Sequence, residues 1–259
     1  MLDTVQYFLG AGSGVLVGFV LALVGGGGSI LAVPLMVYLV GVPSPHVAIG
    51  TSAFAVAVSA ATGLVNHARA GTVKWRCAST FAAAGVAGAF AGSSAGKAFD
   101  GDKLLFLFAI VMIVVGLLML RGRGKRGNPD ADCDRKNAPK VLSYGLGTGA
   151  FSGFFGIGGG FLIVPGLVAS TGMPMINAIG SSLVAVTAFG LTTAFNYALS
   201  GLIDWLLAAA FIGGGILGGL GGAQLAKRLA GTQGQLTTVF AVLIFAVAAY
   251  MLWKSAAAL

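Results

Sequence analysis

Two stretches of this chain present groups that could hold an anion without a metal or a fixed charge. Gly25-Gly26-Gly27-Gly28-Ser29-Ile30-Leu31-Ala32-Val33-Pro34 reappears as Gly156-Ile157-Gly158-Gly159-Gly160-Phe161-Leu162-Ile163-Val164-Pro165. Consecutive glycines adopt backbone angles closed to other residues, so amides lie open there while a new helix starts immediately afterwards. A helix start carries roughly half a positive charge. Gly26, Gly27, Gly28 and Ser29 in one copy, and Gly158, Gly159 and Gly160 in the other, are therefore candidate binding residues for an oxyanion. Thr51, Ser52 and Asn66, with Ser181, Ser182 and Asn196 in equivalent positions, are candidate side-chain donors.

Each of these groups has a plainer reading. Glycines in membrane helices commonly serve close packing, which is the role expected of Gly85, Gly88, Gly92, Gly214, Gly218 and Gly222. Ser and Thr commonly bond their own backbone, and an Asn near a helix end commonly caps it. His46, in the turn after Pro45, could titrate near neutral pH and take part in proton coupling. Gly12-Ser13-Gly14 with His67 is the one nucleophile-like pattern, and nothing in the sequence brings the two side chains together. No catalytic residue, metal ligand or cofactor is expected.

The elements that position these groups are membrane helices. Of 259 residues, 57% are hydrophobic and 8% charged, more apolar surface than a soluble domain could cover. Apolar runs reach roughly 20 residues, enough to cross a hydrocarbon core of about 30 Å. The chain is an all-α integral membrane protein on this reading, with about eight to ten spans. Apolar segments fall at 5–24, 29–40, 45–68, 76–98, 102–120, 139–155, 160–171, 175–199, 205–226 and 235–253. The segments after the glycines hold about 12 residues, which as helix reach about 18 Å. The run from Tyr7 to Val24 lacks a basic flank and a small-residue cleavage pattern, so it reads as a retained membrane segment.

The ten segments are five used twice. Pro34, Gly41 and Pro43 match Pro165, Gly172 and Pro174 at an offset of 131, and beyond that turn the offset is 130. Ala48-Ile49-Gly50-Thr51-Ser52 meets Ala178-Ile179-Gly180-Ser181-Ser182, Asn66 meets Asn196, Trp75 meets Trp205, and Lys97 meets Lys227. Residues 1–120 form the first repeat, the polar stretch 121–138 the linker, and residues 139–259 the second repeat. Arg121, Arg123, Lys125, Arg126, Arg135, Lys136 and Lys140 put the linker in the cytoplasm, and Arg69, Lys74, Arg76, Lys227 and Arg228 fall on the same side. Matching loops then lie on opposite sides, which makes the repeats inverted and leaves both termini periplasmic. The formal charge of +8 is explained by this topology rather than by nucleic acid, which is not an expected partner. Cys77 and Cys133 fall on the cytoplasmic side without metal-ligand spacing, and are expected to be reduced and incidental.

Inverted repeats with a broken helix in each are the pointer to a secondary transporter whose half-helix starts face an anionic group. The glycine-rich break running into Val-Pro, the Gly-x-Pro turns Gly41-Val42-Pro43 and Gly172-Met173-Pro174, the Ala-Ile-Gly-[Thr/Ser]-Ser run and the following Asn-x-x-x-x-Gly resemble the TauE/SafE family, also called DUF81 or TSUP. The resemblance covers essentially every segment. It implies a bacterial inner-membrane transporter, an exporter first, of sulfur-containing anions such as sulfite or sulfoacetate. Partners on this reading are that small anion and the lipid bilayer, with proton or sodium coupling and homo-oligomerisation left open. A passive anion channel, or a transporter of another small organic anion, is the alternative. Departures from symmetry are Ile157 where a glycine is expected, and Ser200 and Asp204 where the first half has Ala70 and Lys74.

Overall fold

A computed structural model describes residues 2–121, 128, 133, 137–157, 160–228 and 233–256. Among these residues there is no strand, and the chain is an all-helical bundle. Helix α1 (Thr4–Val24) runs into a 3-10 helix at Gly25–Leu31, one α turn (α2, Ala32–Pro34) and a π turn at Leu35–Leu39. Then come α3 (Pro45–Arg69), α4 (Trp75–Ala98) and α5 (Gly101–Arg121), and after the linker α6 (Ala138–Phe155), α7 (Gly160–Thr171), α8 (Met175–Ala198), α9 (Trp205–Arg228) and α10 (Gln233–Ala256). Among the described residues, four helices can cross a membrane by length and composition: Thr4–Ala22, Pro45–Arg69, Met175–Ala198 and Trp205–Gly222.

Helix bounds fall where turn chemistry puts them. Pro45 opens α3 at a position where its missing N–H costs no hydrogen bond, and the Ser44 hydroxyl accepts from the Val47 amide. Gly71 and Gly201, both with positive φ, turn the chain between α3 and α4 and between α8 and α9.

Glycine sets the helix pairing. A Cβ on Gly14 would strike the Phe211 carbonyl, one on Gly18 the Gly215 carbonyl, and one on Gly218 the Val15 carbonyl, so α1 and α9 lie backbone to backbone. Gly88, Gly92, Gly149 and Gly153 do the same between α4 and α6, against Leu146, Ala150, Gly85 and Ala89. Without hydrophobic drive between helices in lipid, such close approach supplies the packing. First-position helices thus pair with fourth-position helices of the other half.

Contacts also give direction. Gly10 meets Leu207 and Gly18 meets Gly215, so α1 and α9 are parallel; Gly145 meets Phe81 and Gly153 meets Ala89, so α6 and α4 are parallel. Gly50 lies against Tyr197, Gly190 against Ala57, and Gly63 against Leu183, so α3 and α8 are antiparallel. The linker end of the bundle, where α5 finishes and α6 begins, holds the starts of α4 and α8; the far end holds the starts of α3 and α9.

One expectation is overturned. Cys77 and Cys133 are not free thiols but a disulfide, their Cα atoms 5.2 Å apart. They stand 56 residues apart in sequence, so spacing gave no hint of the bond. The linker brings Cys133 back over the first turn of α4, and that return is a tertiary fact.

Candidate functional site

The two glycine breaks take different forms. In the second, α6 stops at Gly156, whose φ of 66° is left-handed and whose amide closes on Gly153 and Ser152. A Cβ there would strike Ile49. Helix α7 then starts afresh at Gly160, which is buried. Gly158 and Gly159 lie outside the described residues.

The first break does not give the open amides and new helix start expected at Ser29. Gly25–Leu31 continues from α1 as a seven-residue 3-10 helix, longer than such turns usually run. Gly26 and Gly27 sit inside it. The chain doubles back so tightly that a Cβ on Gly28 would strike the Leu21 amide. Ser29 and Ile30 are fully buried.

Both second segments return to the end from which their half began. The Gln6 amide, in the first turn of α1, donates to the Val40 carbonyl at 2.9 Å and the Gly41 carbonyl at 3.3 Å. At the close of α7, the Gly172 carbonyl accepts from the Asn128 amide of the linker at 2.8 Å. Between these ends the 3-10 helix packs against α7 and α8.

The side-chain donors gather in two groups. At the far end the Thr51 Oγ1 accepts the Asp204 amide at 3.0 Å; at the linker end the Ser181 Oγ accepts the Lys74 amide at 2.9 Å. These contacts match, since Thr51 and Ser181 are equivalent, as are Lys74 and Asp204. Each hydroxyl ties the start of the next-layer helix, α9 or α4, to α3 or α8. Neither hydroxyl has an acceptor for its own proton among the described residues, so each keeps one donor. Ser52 and Ser182 are spent: each donates to a carbonyl of its own helix, Ile49 at 3.1 Å and Ile179 at 2.7 Å.

The two asparagines differ. Asn196 is buried, its Nδ2 donating to Ser93 Oγ at 2.7 Å and Ser94 Oγ at 2.9 Å, and its Oδ1 accepting from Lys97 Nζ at 2.8 Å. Lys97 also donates to the Asn196 carbonyl at 2.9 Å and Ser200 Oγ at 2.8 Å, clamping the ends of α4 and α8. Asn66 is exposed and its side chain has no hydrogen bond among the described residues. Sequence reasoning had not joined Lys97 to Asn196. The signal available was that Ser200 replaces Ala70 in the half whose asparagine is clamped.

These donors do not converge on one point. Ser181 and Asn196 lie fifteen residues apart on α8, about 22 Å along the axis. Thr51, Ser52 and Asn196 belong to the far end, and Ser181, Ser182 and Asn66 to the linker end. Ser13 Oγ has no partner among the described residues, and His67 Nδ1 is 2.9 Å from Thr72 Oγ1, so the protease-like pair is not assembled.

A profile described as sulfite exporter TauE/SafE matches residues 10–251. The chain belongs to the TauE/SafE family. It is 55% identical to a probable membrane transporter protein of Xylella fastidiosa strain Temecula1, over 96% of this chain and 95% of that one. It is 28% identical to the probable membrane transporter protein YunE of Bacillus subtilis, over 83% of this chain and 87% of that one. No solved structure matches. This TauE/SafE protein is thus a multi-pass membrane protein of a transporter family, and its helices have the composition that role requires.

Proposed function

We propose that this protein is a secondary transporter, an exporter in the bacterial inner membrane, that moves a small sulfur-containing anion such as sulfite or sulfoacetate by alternating access of two inverted repeats. The matched seals carry this reading. Thr51 with the Asp204 amide and Ser181 with the Lys74 amide are equivalent contacts at opposite ends of two antiparallel helices. One contact can open while its counterpart stays closed, as alternating access requires.

Anion chemistry is supported by the α7 start. Its first amides, at Gly160 onward, have no helical partner and carry the positive end of the helix dipole. The hydroxyl protons of Thr51 and Ser181 add one donor at each end. The cytoplasm is taken as the linker end, because among the described Lys and Arg residues only Lys97, Lys103 and Lys254 fall at the far end.

The test is counterflow in proteoliposomes with sulfite, sulfoacetate, sulfate and acetate under imposed proton and sodium gradients. Saturable exchange of a sulfur anion is the expected result. Conductance without saturation would instead make the protein an anion channel.

A further inference from the structure

The positive-inside pattern puts both cysteines on the cytoplasmic side, a reducing compartment where disulfides are rare and, when present, transient or redox-sensing. Yet Cys77 and Cys133 are bonded. We propose that this disulfide is a modification site opened reversibly by a sulfur nucleophile, thiolate or sulfite, and that opening it frees the cytoplasmic seal of the transport path. The sulfite arm rests on the substrate reading above.

Three observations carry the inference. The first is the difference between the two sulfurs: Cys77 is fully buried, whereas Cys133 is only partly so, which leaves Cys133 as the atom open to attack. The second is the leaving group. Cys77 is the third residue of α4, in the turn whose amides have no helical partner, and Lys74 and Arg76 precede it. A helix start and neighbouring cations stabilise a thiolate and make it leave faster.

The third observation is place. Cys77 stands three residues after Lys74, whose amide is held by Ser181, and Asn177 Nδ2 donates to the Thr72 carbonyl in the same loop at 3.0 Å. Asn128 of the linker donates its amide to the Gly172 carbonyl, just before α8. Asn128 and Cys133 are five residues apart, a reach of at most about 18 Å. The disulfide therefore lies about one helical turn from the seal that Ser181 makes on Lys74.

The chemistry balances without an external oxidant. The sulfur lone pair of sulfite forms a bond to Cys133 Sγ, the Cys77–Cys133 bond breaks, and its electron pair leaves on Cys77 as thiolate, which takes a proton from water. Cys133 is left as an S-sulfonate. The reverse step, attack of the Cys77 thiolate on that adduct with loss of sulfite, restores the disulfide as sulfite falls. A small thiol acts in the same way through a mixed disulfide.

The experiment uses full-length protein in proteoliposomes, exposed to sulfite, to glutathione or to sulfate, then alkylated and digested for mass spectrometry. Sulfite is expected to leave an S-sulfonate on Cys133 and one alkylatable thiol at Cys77, reversed on its removal, with no change under sulfate. Glutathione attached at Cys133 in place of this, with sulfite inert, would overturn the substrate-linked arm. Two free thiols in untreated protein, or an intact disulfide under both nucleophiles, would overturn the site altogether. Cys133→Ser should raise the initial rate of sulfoacetate counterflow several-fold and remove its response to sulfite pretreatment; a wild-type rate with a wild-type response contradicts the link to transport. Adduct without flux of any anion sinks the transporter reading and leaves the site standing, whereas flux without adduct does the opposite.

Discussion

The two glycine breaks descend from one motif and do different work. The second is a stop and a restart: Gly156 terminates α6 in a left-handed turn and α7 offers a new N-terminus. The first keeps helical bonding through Gly25–Leu31 and turns the chain by tightening to 3-10 geometry. Only the second therefore starts a new α-helix within its glycines. Ile157 stands where the first copy has another glycine, and four consecutive glycines let a tight helix turn back on itself where a mixed run needs a cap. A twofold sequence need not give a twofold site, and the anion should bind off centre, toward α7.

The sharpest way to break this contrast is at the glycines themselves. Gly156→Ala meets two obstacles, a left-handed backbone costing about 1–2 kcal/mol and a clash with Ile49 worth about 1–3 kcal/mol. Thermal unfolding in detergent should register both. Gly156→Ala combined with Ile49→Ala should recover the steric part after allowance for the Ile49→Ala cavity measured alone, leaving the backbone part. At Gly28 the obstacle is backbone, Leu21 and Val20, so no neighbouring truncation should rescue Gly28→Ala. Equal rescue at both positions would mean the two breaks are alike after all.

A second asymmetry is almost as large. Asn196→Ala removes the acceptor of the Lys97 ammonium and a double donor to Ser93 and Ser94. Loss of a hydrogen bond to a charged group alone costs up to about 3 kcal/mol. Its sequence twin Asn66, exposed and without a bond among the described residues, should tolerate Ala within about 0.5 kcal/mol. Guanidinium-free thermal melts of the two variants side by side test the pair. If Asn66→Ala abolishes flux while melting normally, that residue lines the path rather than standing idle.

Helix order and bounds were legible in the sequence because hydrophobic length and turn residues are local. The expected segments 45–68, 102–120 and 160–171 became Pro45–Arg69, Gly101–Arg121 and Gly160–Thr171. Packing glycines were legible too: Gly88, Gly92, Gly214, Gly218 and Gly222 all face a backbone carbonyl of a neighbouring helix. Hidden from the sequence were pairings decided only by tertiary approach. Cys133 reaches Cys77 through the linker's path, Lys97 reaches Asn196 across two helices, and Thr51 serves a loop amide 153 residues away. The candidate donors enter quite different contacts, because a residue's type says nothing about whether its proton is already committed.

The seals at the two ends sharpen the comparison in a functional direction. Thr51→Val leaves the Asp204 amide without its acceptor, and Ser181→Ala does the same to Lys74. A buried amide stripped of its partner costs about 1–3 kcal/mol, and about 1.4 kcal/mol shifts a two-state population tenfold. The two variants should thus bias the protein in opposite senses. Cysteine labelling from the far side should rise in Thr51→Val and from the linker side in Ser181→Ala. The same sense of change in both would remove the alternating-seal argument.

The smallest effect is expected one residue further on. Ser52 and Ser182 are as buried as Thr51 and Ser181 and look equivalent in sequence, but each hydroxyl donates to the carbonyl three residues back in its own helix. Such a bond satisfies the hydroxyl without joining two elements, and the carbonyl keeps its helical donor when the hydroxyl is removed. Ser52→Ala and Ser182→Ala should change stability by no more than about 0.5 kcal/mol and leave counterflow rates near wild type. Neighbouring hydroxyls on one helix would then separate cleanly into one that crosses to another element and one that does not. A large loss of flux in either alanine variant, with the fold intact, would mean that its hydroxyl turns away from its own helix when substrate arrives, and the binding path would have to be redrawn through it.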